Sequence, residues 1–269
     1  MTQLLPLDIY LPHMSEVQLY ALGTGTSQGV PVIGCDCRTC RSTDPFDQRF
    51  RSSVVFSSKG KNVLIDTGPD LRQQLLRSGL SSIDAVALTH AHQDHTAGLD
   101  DLRPLIFKSG RPMPIHCRSE VATRLREQYA YIFDNPDYPG VPKIDILPLQ
   151  GDIQSIAGLE FTLIHARHGD LPVVGFRLGA ISYLTDANHI ADAELEKVKG
   201  SRYFILNALR DQPHYSHFHL EAAIDVGQRS GAEEVLFTHI SHHFEPQEVL
   251  AKRLPKRFGL LRDGLLIRA

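Results

Sequence analysis

Histidine, aspartate and cysteine crowd into a few short segments of this 269-residue chain, most densely in His90-Ala-His92-Gln-Asp94-His95. Imidazoles and a carboxylate at that spacing can converge on one divalent cation from a single loop, without a charge being buried in a sheet. Such donors suit zinc, manganese or iron(II) alike, so the segment specifies a metal site but not its metal. It follows an apolar run, Ala85–Thr89, that reads as a buried strand. Thr96-Ala97-Gly98-Leu99 behind it reads as a helix start.

A second cluster, Cys35-Asp-Cys37-Arg-Thr-Cys40, holds three of the four cysteines and brings three thiolates within reach of one tetrahedral ion. A closed zinc shell requires a fourth donor, which we assign to His242 in Thr238-His239-Ile-Ser-His242-His243. That choice would tie a late segment to an early loop. Cys117, standing alone, reads as a small buried residue. A third group, Pro213-His214-Tyr-Ser-His217-Phe-His219, offers three imidazoles ahead of a helical pattern, with side chains able to exchange protons near neutral pH. For His214 and His219, shaping the pocket or capping the helix is the simpler role. Arg103, in Asp100-Asp-Leu-Arg103, reads as the ion-pair partner of a nearby acid rather than as a phosphate contact.

The elements that must position these side chains are mostly short. Val17–Leu22 reads as a strand, and Ser52–Ser57 with Asn62–Asp66 as a hairpin about Lys59-Gly60-Lys61. Leu71–Ser78 has helical spacing, and Ser119–Tyr131 reads as a helix with Ser119 as its N-cap. Residues 134–148 carry four prolines and read as a surface loop. Strands follow at Ile153–Ile156, Leu159–His165, Val173–Leu178 and Ile181–Thr185, the last two joined by a tight turn at Gly179-Ala180. Helices at Ala193–Lys199 and Leu220–Ser230 and a strand at Glu234–Thr238 complete the pattern. No linker interrupts it, so residues 17–269 read as one α/β domain of two mostly antiparallel or mixed sheets between helices. Residues 1–16 read as a proline-punctuated extension.

Composition narrows the function classes. The hydrophobic fraction of 42% is enough for a core without disulfides, and a net charge of −3 excludes a non-specific nucleic-acid or membrane binder. No run approaches the ~20 apolar residues of a membrane span. The first residues lack a signal-peptide pattern. The cytoplasm is the expected compartment, and there clustered cysteines bind metal rather than form disulfides.

The His90–His95 segment resembles the HxHxDH signature of the metallo-β-lactamase superfamily, which implies an αββα sandwich. The resemblance also implies a ligand set. Asp66 in Val63-Leu64-Ile65-Asp66-Thr67-Gly68 would orient a ligand, His168 would join His90 and His92 on one metal, and His239 would join Asp94 and His95 on the other. Asp186, in Ser182-Tyr-Leu-Thr-Asp186, and a hydroxide would bridge the two ions, zinc or manganese. His165 competes with His168, which is preferred because it sits beside Gly169-Asp170, where the sequence reads as a loop.

The cysteine cluster, the glycine-rich loop Gly23–Gly29 and Thr-His-Ile-Ser-His narrow the resemblance to the phosphoribosyl cyclic phosphate phosphodiesterases of the carbon–phosphorus lyase pathway, from about residue 17 to the C-terminus. This branch implies hydrolysis of a small, cyclic, ribose-linked phosphodiester, with Asp94 and Asp186 catalytic, His217 as general acid and a separate structural zinc. Its partner is then a small molecule, with no membrane; nucleic acid is disfavoured, and homodimer formation stays open. Two other readings remain. One is an oxygenase or carrier like the B protein of pyrroloquinoline quinone biosynthesis, whose metal motif tends to be incomplete where this one is intact. The other is a tRNA 3′-processing nuclease, which would need a basic substrate-grasping arm absent from this sequence.

Overall fold

The computed structural model describes residues 16–135 and 138–269; all but Glu16 of the expected extension lies outside the described residues. The first sheet takes its strands in chain order: β1 (Gln18–Gly23), β2 (Ser53–Ser58), β3 (Lys61–Ile65), β4 (Ala85–Ala87), β5 (Met113–Cys117) and β6 (Ile144–Pro148). The first three are antiparallel and the rest parallel, a difference set by their connections. β2 and β3 share a two-residue turn in which Lys59 and Gly60 both have positive φ, the conformation that matches strand twist. Parallel neighbours need crossovers instead. These are α1 (Leu71–Ser78), then α2 (Gln93–Thr96) with α3 (Arg103–Ser109), then α4 (Ser119–Gln128) with α5 (Ala130–Phe133).

The second sheet repeats the scheme. β7 (Ile153–Ile156), β8 (Leu159–His168), β9 (Leu171–Leu178) and β10 (Ile181–Leu184) form an antiparallel meander. β11 (His189–Ile190), β12 (Tyr203–Asn207), β13 (Glu234–Thr238) and β14 (Phe258–Leu260) follow, with α6 (Asp192–Glu196), α7 (Leu220–Arg229) and α8 (Gln247–Arg253) between them. The order is β11-β8-β9-β10-β12-β13-β14, with β7 beside β8, and β10, β12, β13 and β14 are parallel. Finally β15 (Leu266–Arg268) returns to the first sheet and pairs with β1.

Both sheets are covered on both faces, which is why central strands such as β2, β4, β10 and β12 are buried almost throughout. Phe56, Ile65, Phe161, Phe176 and Tyr183 pack between the sheets. Val55, Leu64, Val86 and Ile115 face one helical layer, and Leu184, Phe204, Leu206 and Phe237 face the other. The result is helix, sheet, sheet, helix. Among the described residues no helix is long and apolar enough to cross a membrane.

Three sequence expectations are corrected. Residues 134–148 are not all loop: Ile144–Pro148 pairs with Met113–Cys117 as an edge strand, where prolines are tolerated because one side makes no ladder. The helix expected over Ser119–Tyr131 breaks at Tyr129, and Ser119 is its first turn rather than its cap; Arg118 holds the cap position without a side-chain bond. The helix expected from Thr96 begins at Gln93, inside the histidine segment.

Candidate metal centre

The parallel strands of both sheets deliver their C-terminal ends to one side of the sandwich. Asp66 follows β3, Asp186 follows β10 and His239 follows β13, and all three hold positive φ, at 65°, 56° and 57°. A non-glycine residue seldom adopts this strained conformation. Here it turns each side chain across the strand end. Asn207, the last residue of β12, secures the loop after Asp186 by bonding both the N–H and the carbonyl of Ala187, at 2.8 and 3.0 Å.

Donor atoms of His90, His92 and His168 fall within 4.8 Å of one another, and so do those of Asp94, His95, Asp186 and His239. His168, Asp186 and His217 form a third, overlapping group. His168 is not in a loop: it is the last residue of β8. Strand alternation, rather than loop placement, separates it from His165, three residues earlier and on the opposite face. His165 instead lies 3.2 Å from the Gly151 carbonyl and 3.7 Å from Asp152, away from the cluster.

Hydrogen-bond bookkeeping fixes the tautomers. Asp66 is fully buried and can only accept, so His95 Nδ1–H donates to it at 2.7 Å. The Thr89 hydroxyl spends its proton on Asp66, so toward His90 Nδ1, 3.0 Å away, it accepts. His168 Nδ1–H donates to the Ser216 carbonyl at 2.6 Å. The Ser52 hydroxyl donates to the Gly25 carbonyl at 3.0 Å and therefore accepts from His239 Nδ1–H at 3.2 Å. In its neutral form each of the four rings therefore presents Nε2 as the unprotonated nitrogen. That of His90 is buried with no hydrogen-bond partner, and that of His95 is buried 3.2 Å from carboxylate oxygens of Asp94 and Asp186. Orphaned imidazole nitrogens held in one tautomer by outer partners are what a metal-ligand set requires.

The electrostatics agree for three of the four rings. Burial drives His90 and His168 below the ordinary imidazole range and pushes His239 down to about 4, keeping the rings neutral. For His95 burial acts the same way, but Asp186, Asp94 and Asp66 outweigh it and hold the ring well above its ordinary value, so without a cation its Nε2 keeps a proton between Asp94 and Asp186, each 3.2 Å away, which a bound cation would displace. Burial alone would raise Asp186, yet His239, His95 and His217 hold its carboxyl well below the usual range. Negative charge concentrated at Asp94 and Asp186 would be relieved by cations.

His217 lies on the rim. Its Nε2–H donates to Asp186 Oδ1 at 3.0 Å, and its ring stacks on His239 with centroids 4.9 Å apart. The Ser216 hydroxyl and His214 Nδ1 lie 3.2 and 3.1 Å from its Nδ1. His219 holds the N-cap position of α7 but makes no side-chain cap bond, so the capping role expected for it is corrected. Arg103 pairs with Asp100 at 2.8 Å, as its sequence neighbourhood suggests.

Cys35, Cys37, Cys40 and His242 form a separate group with donors again within 4.8 Å. Cys35 and Cys37 sulfurs lie 3.2 and 3.6 Å from His242 Nδ1, and the Thr39 hydroxyl donates to the Phe244 carbonyl at 2.6 Å, binding the two segments together. Burial would raise the Cys37 thiol, but the N–H of Cys40 and the neighbouring thiols bring it below its usual range. Ser52, Thr89 and Ser216 are the positioning residues that sequence reasoning missed. Only Thr89, adjacent to His90, had a positional signal.

Residues 61–240 match the model of the Beta-lactamase superfamily domain. The chain is similar to a diphosphatase from the PhnP family, with 38% identity and a TM-score of 0.88 over 94% of this chain and 97% of that one. It is also similar to an octanoyltransferase of Porphyromonas gingivalis, 40% identical over 248 residues, and to coenzyme PQQ synthesis protein B of Methylorubrum extorquens, 28% identical over 194. Those alignments cover 91% and 67% of this chain, but the chain spans only 50% of the octanoyltransferase and 59% of the PQQ protein.

Proposed function

Because the chain belongs to the metallo-β-lactamase superfamily of metal-dependent hydrolases, we propose that it hydrolyses a small phosphodiester at a two-metal centre. His90, His92 and His168 would hold one ion, Asp94, His95 and His239 the other, and Asp186 would lie between them. The observation that carries this reading is the complete donor set, with four of its imidazole rings held by outer partners through Nδ1 so that Nε2 faces the centre. Metals bound there supply positive charge for the phosphate oxygens and lower the pKa of bound water.

The protein's own side chains do the rest. Asp66, Thr89, Ser52 and the Ser216 carbonyl hold the imidazole rings in register. His217 Nε2–H, aimed at Asp186 from the rim, is placed to give its proton to a departing alkoxide. A cyclic, ribose-linked phosphodiester is the specific substrate we propose, supported by the similarity to a PhnP-family diphosphatase, which also acts at a phosphorus centre. The cysteine group would hold a structural zinc.

A second reading, an oxygenase or carrier role, is favoured by the similarity to PQQ synthesis protein B. Octanoyl transfer belongs to a relative of which this chain spans half, and comes here only as a test substrate class. The experiment is a panel of cyclic and linear phosphodiesters, diphosphates and acyl thioesters with added manganese or zinc, run on wild type and His217→Ala. We expect phosphodiester turnover. His217→Ala should slow alkoxide-leaving substrates by about 10²–10⁴-fold while sparing p-nitrophenyl esters. No phosphodiester turnover with either metal would overturn the reading. Equal losses on both ester types would remove His217 from the acid role.

A further inference from the structure

Tyr215 is 73% exposed, yet its position is fixed from three sides. Its hydroxyl donates to Asp170 Oδ2 at 3.0 Å, and its carbonyl accepts from Asn188 Nδ2 at 2.9 Å. Its ring rests on Gly169 so closely that a Cβ there would lie 2.8 Å from Cε1. Gly169 has a φ of +58°, and its N–H donates to the same Asn188 side chain at 2.8 Å. Tyr215 therefore cannot swing freely, although most of its surface faces solvent.

Its position relative to the metal centre is equally constrained. The next residue, Ser216, accepts from His168 Nδ1, and His214 and His217 flank it. Leu171, 46% exposed, pairs with His168 across the β8–β9 hairpin, so a second apolar side chain borders the same rim. An aromatic ring kept exposed by three tethers, beside a centre built for a phosphate, makes a binding surface for a flat apolar group joined to that phosphate.

Building on the phosphodiesterase reading, we propose that Tyr215 is a stacking platform for the non-reacting end of the substrate, which is a nucleobase or comparable heteroaromatic ring. Leu171 extends the apolar rim, and the tether to Asp170 keeps the ring in place before substrate arrives, which lowers the entropy lost on binding.

The test compares adenosine 5′-monophosphate with ribose 5-phosphate, two ligands that share sugar and phosphate and differ in the base. Their dissociation constants are measured by calorimetry on the metal-loaded protein as purified. The nucleotide should bind about 5- to 150-fold more tightly, the usual worth of one base–aromatic stack. Tyr215→Ala should bring the ratio close to one by weakening the nucleotide alone, and Tyr215→Phe, which keeps the ring, should retain most of it. Equal affinities in wild type would overturn the inference. So would a loss in Tyr215→Ala shared by both ligands, because the ring would then be only a support for the His168 loop. Turnover of bis(p-nitrophenyl) phosphate, measured in parallel, separates the two claims. Base-dependent binding without turnover sinks the hydrolase reading and keeps the platform, whereas turnover without base preference does the reverse.

Discussion

Replacing Ser52 with alanine should expose how much of metal binding depends on a residue that touches no metal. Ser52 is 1% exposed, and its hydroxyl sits between the Gly25 carbonyl at 3.0 Å and His239 Nδ1 at 3.2 Å. Without it, the fully buried His239 ring keeps an N–H with no acceptor, a defect worth about 1–3 kcal/mol. The ring has one escape: it can carry its proton on Nε2, which lies 3.2 Å from both Asp186 Oδ1 and the Thr26 hydroxyl. That tautomer removes the defect but takes away the lone pair a cation needs. The variant must therefore lose stability or metal affinity, the latter by about 10- to 100-fold. Chelator competition gives the affinity, urea unfolding of metal-free protein gives the stability, and ¹⁵N imidazole shifts report the tautomer. Ser52→Thr, which keeps the hydroxyl, should recover most of the affinity. Unchanged affinity, stability and tautomer in Ser52→Ala would refute the proton assignment.

Two further outcomes follow from the other groups described. Wild type should retain one tightly held zinc after mild chelation, because thiolate sites hold zinc more tightly than open mixed sites, whereas Cys37→Ser should lose it and melt at lower temperature. A Cys37→Ser protein that melts like wild type but is inactive would reverse the roles given to the two sites. The pH dependence of metal-free protein should carry the signature of His239, whose pKa is pushed by burial from 6.5 down to about 4. The unfolded chain takes up that proton first, so the contribution of the neutral ring is complete above about pH 6.5 and is lost as pH falls toward about 4, a total on the order of 3 kcal/mol. His239→Gln should flatten the stability curve in that window, and curves parallel to wild type would count against the assignment.

Much of the site was legible because four of its side chains lie within six consecutive residues, where spacing alone signals chemistry. His168, Asp186 and His239 were legible only through family resemblance, since they meet through strand pairing between distant segments. Strand alternation separates His168 from His165 more securely than any loop argument, but the residue-level pattern had ended that strand at His165. β12 and β6 escaped for related reasons: one is a short run apolar on both faces, and the other is hidden among prolines. Ser52 escaped because its role exists only through a proton passed between a carbonyl and a ring. One hydroxyl beside a strand looks like any other.

The pairing of β15 with β1 has a consequence for how such a module is joined to others. Val17 and Ala269 exchange both backbone hydrogen bonds at 2.9 Å, so the two ends of the described sandwich leave it side by side. β1 then runs six residues, about 20 Å at the usual rise per residue, before the chain continues through Thr24–Thr26 to His239. Anything attached at either end is thus held one strand length from the catalytic mouth. The edge where β1 and β15 pair is therefore separate from the rim that carries Tyr215 and His217.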